Sequence, residues 1–412
     1  MNIYRFLTLL LLVSSVSVYA QEEDKIKVRI DCRGCDDNYM RQNTLYLSHV
    51  RDQDLAEVYL LVNRSGNASS EIYNLEYEGK GRFEGIDNQF TVDYSRTLTD
   101  NEIRDRLLGA IINGFIPYLM HTDKAKDISS IVELSIEEIE QTQSTDSVVD
   151  PWKFWVFEIR GNLGLEEQDQ RRELNYFFGI EGDKVTEDWR VRIDGFYDSN
   201  VLTVSEPGEP DFTAIRDRQF FRSSVVRSLG NHWSVGLFGT IDANTVENYA
   251  LRTNISPAIE YSLYDYQEVL TKEITFAYRV GYIRQKYLET TIFDVDLDNF
   301  ASQTFSLNVR FRQNWGSIFS RLNASNFLND FSKNRVTFDS NVSVRIFQGF
   351  NVRFNGEFAI IRDQINLQKG DASLEDIILQ QRAIATGYRL ELGVGVSYTF
   401  GSIYNNILNT RL

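Results

Sequence analysis

The stretch from Tyr388 to Phe400 alternates strictly between two kinds of side chain. The even-numbered positions carry only Tyr, Leu, Val and Phe, whereas the odd-numbered positions, the other parity, carry Arg389 and Glu391 among small residues. Alternation with a period of two predicts a β-strand with two different faces. We expect the uncharged face to contact lipid and the charged face to line a wet lumen.

The same period continues from Pro151 to Phe400 and predicts about twelve antiparallel strands. An even number is typical of single-chain bacterial barrels, and most segments approach the 9–11 residues that a tilted strand needs to cross a bilayer. The pattern therefore predicts a transmembrane β-barrel over 151–412. The predicted strands are Phe157–Leu165, Leu174–Gly182, Trp189–Tyr197, Phe220–Val226, Trp233–Ile241, Leu251–Leu263, Ile274–Tyr282, Phe305–Phe311, Ile318–Ala324, Val336–Ile346, Phe350–Ile360 and Tyr388–Phe400.

The lengths of the predicted links also alternate. "SLGNH", "QNWGS" and "FQG" are short and fall after even-numbered strands, whereas three long polar stretches, 198–218, 284–303 and 362–386, follow odd-numbered ones. Outer-membrane barrels have short periplasmic turns and longer extracellular loops. A soluble β-sandwich is the alternative, but its strands average about 5–6 residues and its links have no reason to alternate.

Residues 21–121 predict a small α/β domain. Strands are expected at 25–31, 57–63, 71–79 and 90–95, with a short helix after the first. Thr99 and Glu102 have the spacing of a capping box at the start of a longer helix. The helix carries an apolar stripe of Ile103, Leu107, Ile111, Phe115 and Leu119. Residues 122–150 then turn acidic and predict a linker, with one short strand at 130–136.

The first twenty residues predict a secretory signal peptide. Arg5 precedes an apolar run from Phe6 to Val13, and Val18-Tyr19-Ala20 provides a small-residue cleavage site. We expect export, and with the barrel we expect the outer membrane, with the N-terminal domain in the periplasm. No stretch reaches the roughly 20 apolar residues of a membrane helix after this segment.

Charge and aromatic content narrow the choice of partner. The formal net charge is −16, which disfavours nucleic acid because phosphate binding needs a basic face. Aromatic residues make up 13% of the chain, and barrels place such rings at both membrane interfaces. Outer-membrane lipid is therefore the expected surrounding of the barrel, and no cofactor is predicted.

Three stretches of the barrel region resemble the YdiY-like family of uncharacterised outer-membrane proteins. They are "NHWSVGLFGTI", "LRTNISPAIEYSLYDYQE" and "ITFAYRVGYIRQKY", which follow in the family's order within about 190–398. The resemblance implies an outer-membrane barrel and little about activity. The order of elements in the N-terminal domain is faintly similar to the amino-terminal domain of TolB.

Cys32 and Cys35 are the chain's two cysteines, and they follow the first predicted strand. In an exported protein such a close pair favours a local disulfide. A redox-active thiol pair at a helix start is the second interpretation. Metal binding is the third, because two sulfurs with no nearby histidine make a poor zinc site.

Two further groups of residues are candidates for metal binding or catalysis. Asp294, Asp296 and Asp298 have the spacing that begins a calcium loop, but Asn299 and Phe305 occupy the places of its glycine and glutamate. His232 is the barrel region's one histidine, and nothing near it in sequence forms a nucleophile and base. We predict a protein that is not an enzyme.

The inward parity of the barrel strands is rich in charge and is the remaining candidate site. There are two interpretations: opposite charges pair and close the lumen, or an arginine-rich wall guides anionic solutes. The lumen candidates are Arg160, Arg190, Arg192, Arg252, Glu260, Arg279, Arg310, Arg312, Arg345, Arg353, Glu357, Arg389 and Glu391.

Two main functional hypotheses follow from these features, and a lipid-active enzyme ranks third. In the first, a non-enzymatic barrel anchors the N-terminal domain, which engages a periplasmic protein partner. In the second, the barrel is a narrow diffusion channel or uptake pore with arginines along its wall.

Overall fold

The computed structural model describes residues 25–126 and 151–402, apart from 33, 67–69, 187, 206, 209, 270 and 371–382. Within these residues the chain forms a five-stranded mixed sheet with two α-helices and a twelve-stranded antiparallel sheet. This is the predicted fold class. The predicted signal peptide, the linker residues 127–150 with their strand, and the tail 403–412 lie outside the described residues.

The N-terminal domain is a mixed sheet in the order β2-β1-β3-β4-β5. β1 runs parallel to both of its neighbours, and β3, β4 and β5 form an antiparallel meander. The two-residue edge strand β2 was not predicted, because it is too short to show a period. The elements are β1 (Lys27–Cys32), α1 (Asp37–Asn43), β2 (Ser48–His49), β3 (Val58–Gly66), β4 (Ser70–Gly79), β5 (Asn88–Ser95) and α2 (Asp100–Leu119).

The core of this domain lies between one face of the sheet and its helices. Val28, Leu60 and Leu75 come from three strands, Ile111 and Phe115 come from α2, and all five are 0% exposed. Each such side chain contributes about 1.5–3 kcal/mol by leaving water. Because strand residues alternate, the other face of the same sheet is left without helices and carries polar side chains.

The predicted capping box at the start of α2 is confirmed. The Glu102 amide donates to the Thr99 hydroxyl at 3.3 Å, and the Thr99 amide donates to the Glu102 carboxylate at 2.7 Å. The predicted stripe from Leu107 to Leu119 faces the core. Among the described residues, no helix has the length and apolar character of a membrane span.

The C-terminal sheet contains all twelve predicted strands, each paired antiparallel with its sequence neighbours. The sheet is not closed, because β6 and β17 at its two edges each pair with one neighbour in the described structure. Its strands are β6 (Trp155–Gln168), β7 (Arg171–Val185), β8 (Trp189–Val204), β9 (Phe212–Ser228), β10 (Trp233–Asn244), β11 (Tyr249–Ser262), β12 (Lys272–Tyr287), β13 (Leu297–Gln313), β14 (Gly316–Phe327), β15 (Asn334–Phe347), β16 (Phe350–Ile361) and β17 (Tyr388–Tyr398).

Most of these strands are longer than the alternation predicted. β9 has 17 residues, although apolar alternation marked only Phe220–Val226. The predicted long link at 198–218 therefore shrinks to 205–211, and the one at 284–303 shrinks to 288–296. Backbone pairing continues where both faces have become polar, and hydrophobic alternation gives no signal there.

One face of the twelve-stranded sheet is apolar and exposed. On β17, Leu390, Leu392, Val394 and Val396 are 54–72% exposed. The same face continues across the sheet through residues such as Ile255 of β11. We call this the apolar face, and the opposite one the charged face.

The segment 362–370 folds over the end of the sheet that lies farther from the N-terminal domain. The Asn248 side chain donates to the carbonyl of Asn366 at 3.0 Å, and the Ile292 amide donates to that of Leu367 at 2.9 Å. Asn248 is 1% exposed and Leu367 is 8% exposed. The links after β10 and β12 are thereby tied to the link after β16.

Candidate functional site

All thirteen predicted lumen residues lie on the charged face. Paired residues share a face, and the register places Glu357 opposite Glu391, Arg310 opposite Glu273, and Arg279 opposite Thr304. The pairing continues from β6 to β17, and one parity per strand defines this surface except at three register shifts near the ends of β10, β11 and β15. The remaining question is what each charge contacts.

Several of these charges pair across strands. Arg310 lies 3.4 Å from Glu273, and Arg389 contacts both Glu357, at 3.6 Å, and Glu391. Their side chains are partly exposed, and such pairs contribute about 0–1 kcal/mol each. Arg160 pairs with Glu158 and Glu181 in the same way. The pairing neutralises much of the face without making it rigid.

Asp183 is the most deeply enclosed carboxylate in these pairs. Its side chain is 1% exposed, and it lies 3.4 Å from Arg190 and 3.9 Å from Arg192. One oxygen, Oδ1, has no hydrogen-bond partner in the structure. Two arginines therefore share one carboxylate near the start of β8.

Arginines also stack on aromatic rings of the charged face. Arg279 lies 4.2 Å from the ring centre of Phe238, and Arg252 lies 5.2 Å from that of Tyr249. Glu260 accepts a hydrogen bond from the Tyr266 hydroxyl at 3.4 Å. These rings of the charged face were not predicted, although the alternation places Phe238 on the same side as the charged residues of its neighbouring strands.

Arg312 and Arg345 contact the N-terminal domain. The Arg345 guanidinium donates to Asp52 at 2.5 Å and to Asp54 at 2.6 Å. Asp52 also accepts from the Gly349 amide at 2.9 Å, and Arg312 donates to the Arg64 carbonyl at 2.7 Å. These contacts fasten the N-terminal domain to the turns after β13 and β15.

The helix-free face of the N-terminal sheet is turned toward these turns. Arg29, Asp31 and Tyr59 from that face line a cavity of about 680 Å³ together with Asn314 and Arg353 of the twelve-stranded sheet and its turns. We call this the interdomain cavity. Tyr59 is 2% exposed and donates to Asp31 at 3.1 Å, so the polar face is covered rather than solvated.

A second cavity, of about 510 Å³, lies at the other end of the sheet under the segment 362–370. Arg252 lines it, together with two arginine–aspartate pairs. Arg335 lies 2.9 Å from Asp363, and Arg218 lies 3.8 Å from Asp242. Three arginines and three carboxylates line it, so its positive and negative charges balance, in contrast to the interdomain cavity.

Cys32 and Cys35 are joined in a disulfide, with their Cα atoms 5.6 Å apart. The bridge connects the end of β1 to the residue before Asp36, whose side chain caps α1 by accepting from the Tyr39 amide at 3.0 Å. The disulfide therefore fixes the entry to a helix. This position favours the structural interpretation, and the redox interpretation stays a prediction.

The carboxylates of the link after β12 and of the start of β13 do not come together. Asp294 pairs with Lys369, Asp296 accepts from Thr290 at 2.7 Å, and Asp298 accepts from Tyr287 at 2.9 Å. Across the described residues, no group of three or more metal-ligating side chains is present. His232 contacts Asp265 at 3.1 Å in a turn beside β10.

Comparison with known proteins adds no relative: no protein-family model and no curated protein matches the chain. The resemblances to the YdiY-like family and to TolB therefore stay predictions.

Proposed function

We propose that this protein is a non-enzymatic outer-membrane β-barrel that anchors its N-terminal domain in the periplasm. The apolar face carries the proposal. Large side chains such as Ile159, Leu163 and Val394 are 69–75% exposed on it, and they continue from β6 to β17. Soluble monomers rarely expose apolar patches beyond a few hundred Å². Contact with lipid would cover these side chains and remove the free-energy cost of exposing them to water.

The distribution of tryptophan supports the same placement. Trp155, Trp189 and Trp233 begin strands β6, β8 and β10, and Trp315 lies in the turn between β13 and β14. These positions are all at the end of the sheet that meets the N-terminal domain. Aromatic girdles occupy the membrane interfaces of outer-membrane barrels. We therefore assign this end to the periplasmic side.

The periplasmic partner would meet the helical side of the N-terminal domain. The sheet face is already engaged by the barrel turns, whereas Leu45 and Met120 are 65% and 57% exposed. A photo-cross-linker in place of Met120 should capture an envelope protein in cells. The same group in place of Leu61, on the covered face, should instead react within the chain. Intermolecular capture from Leu61 would contradict this orientation.

One pair of adjacent substitutions tests the membrane assignment. Val394→Arg places a charge on the apolar face, where arginine at the bilayer midplane costs about 2–4 kcal/mol. Gly393→Arg is the matched control, because a Cβ there meets only Asn355, at 3.9 Å, on the charged face. We expect Val394→Arg to reduce heat-resistant folded protein in the membrane fraction and Gly393→Arg to leave it unchanged. Equal behaviour of the two variants would refute a lipid-covered face.

A narrow channel for anions is the second candidate function, favoured by the arginines of the charged face. Ion pairs along that face and the N-terminal domain across one end favour the anchor instead. Planar-bilayer recording of the full mature chain separates the two. The anchor hypothesis would be rejected in favour of a pore if the recording shows discrete conductance steps and if their anion selectivity falls in Arg279→Ala.

A further inference from the structure

The interdomain cavity has a charge opposite to that of the whole protein. Seven arginines and three carboxylates line it, a net charge of +4, whereas the chain as a whole carries −16. The cavity combines residues of both domains, with β1 and β3 on one side and β13 to β16 on the other. The contact between the two domains therefore creates a positively charged cavity.

The three carboxylates of the cavity are already engaged. Asp52 binds Arg345 and the Gly349 amide, and Asp31 accepts from Tyr59. Glu71 is paired with Arg64, whose hydrogen bond holds the pKa of that carboxyl below its usual value. Each of these acids is therefore held by a partner and does not neutralise the other arginines.

Three arginines remain for a ligand. In the part of the chain that the structure describes, Arg29, Arg51 and Arg353 have no carboxylate within 4.0 Å, yet all three line the same cavity. Arg29 comes from β1, Arg51 from the link after β2, and Arg353 from β16. Like charges held near one another repel, and an anion between them relieves that repulsion.

We propose that the interdomain cavity binds a small multivalent oxyanion, with Arg29, Arg51 and Arg353 as its ligands. Guanidinium groups present planar forks of donors that match phosphate and carboxylate oxygens. The volume of about 680 Å³ lies within the range of small-molecule sites. Because the ligands come from both domains, the anion would also hold the N-terminal domain to the barrel turns.

Inorganic pyrophosphate is the probe for this site. Calorimetry on the full mature chain in detergent should show binding that weakens as salt increases, because the site is electrostatic. Arg29→Gln, Arg51→Gln and Arg353→Gln should each weaken it at least tenfold. Arg106→Gln, on α2 and outside the cavity, is the matched control and should bind as the parent does.

A chemical readout keeps the test independent of the variants' folding. Pyrophosphate should protect Arg29, Arg51 and Arg353 from phenylglyoxal, as mapped by mass spectrometry, and leave Arg106 unprotected. Citrate in place of pyrophosphate distinguishes a carboxylate site from a phosphate site, and protection by either anion supports the proposal. Absence of protection with both anions, or equal protection of Arg106, would overturn it. The result does not depend on the membrane assignment, which Val394→Arg tests separately.

Discussion

At the scale of single residues, His49 makes the N-terminal domain sensitive to acid. It is 6% exposed, and burial, followed by the nearby Arg41 charge, lowers its pKa from 6.5 to about 4. The Thr44 hydroxyl donates to the Met40 carbonyl at 2.6 Å, so its oxygen accepts from His49 Nε2 at 2.8 Å. The fold thus selects the neutral ring.

The sign of the resulting pH dependence is fixed. The unfolded chain binds a proton at His49 below pH 6.5, whereas the folded domain resists it down to about pH 4. The free energy of unfolding should therefore have its full value above pH 6.5. It should fall by about 3 kcal/mol as the pH drops from 6.5 to about 4. Amide exchange of β3 at pH 7 and at 4.5 measures the loss. In His49→Gln the difference in stability between the two pH values should be much smaller. An unchanged difference would contradict the assignment to His49.

Asp52 is the residue that fastens the two domains. Its side chain is 12% exposed and accepts hydrogen bonds from the Arg345 guanidinium and the Gly349 amide. Asp52→Asn should weaken docking by about 1–3 kcal/mol, because hydrogen bonds to a charged group are lost. Internal cross-linking from position 61 reports the docking.

Asp54 provides the control for that substitution. It also contacts Arg345, but its side chain is 55% exposed, and pairs at the surface contribute about 0–1 kcal/mol. Asp54→Asn should therefore reduce cross-linking less than Asp52→Asn. The reverse order would show that the contact with the Gly349 amide has no role.

At the scale of elements, α2 approaches the sheet closely at Gly114. A Cβ added there would lie 2.1 Å from Cζ of Tyr77, which is 2% exposed and donates to the Ile111 carbonyl at 2.9 Å. Gly114→Ala should therefore destabilise the domain by about 1–3 kcal/mol through overpacking, measured by thermal unfolding. Combining it with Tyr77→Leu should cost less than the sum of the two changes. Simple additivity would mean that the ring moves aside freely.

The sequence predicted the elements better than their ends. Strict alternation identified all twelve strands of the large sheet, and the Thr99–Glu102 spacing identified the start of α2. The predicted start of β9 at Phe220 is too late. Charged residues separate Phe212 and Ile215 from the apolar alternation that begins at Phe220. A backbone ladder needs no apolar side chain to continue.

Docking between the domains was beyond sequence reasoning for a different reason. Arg345 was predicted to face the lumen, and its parity does place it on the charged face. Its partner Asp52 lies 293 positions earlier, in a link with no distinctive motif. Only the three-dimensional approach of the two sheets brings these charges together.

At the scale of the whole molecule, the open edges of the large sheet are the unusual feature. In the described structure β6 and β17 each present one unpaired side, and β17 is exposed on both faces. Unsatisfied backbone groups cost several kcal/mol each in hydrocarbon, so lipid-embedded sheets close. In a membrane both edges need a partner strand.

The two edges are suited to each other. On their charged faces β6 carries Glu158 and Arg160, and β17 carries Arg389 and Glu391, so each edge offers both signs. An even number of strands also makes the first and last strands antiparallel. We expect β6 to pair with β17 in lipid.

Amide exchange in detergent micelles or nanodiscs tests this closure. Amides of β6 and β17 that point away from β7 and β16 should exchange as slowly as those of β12, which is paired on both sides. Protection in a monomeric sample means that the chain closes on itself, because no second copy is present to supply a strand. Fast exchange at both edges, with β12 protected, would show a sheet that stays open along one seam, and the charged face would then be accessible from the side as well as from its ends.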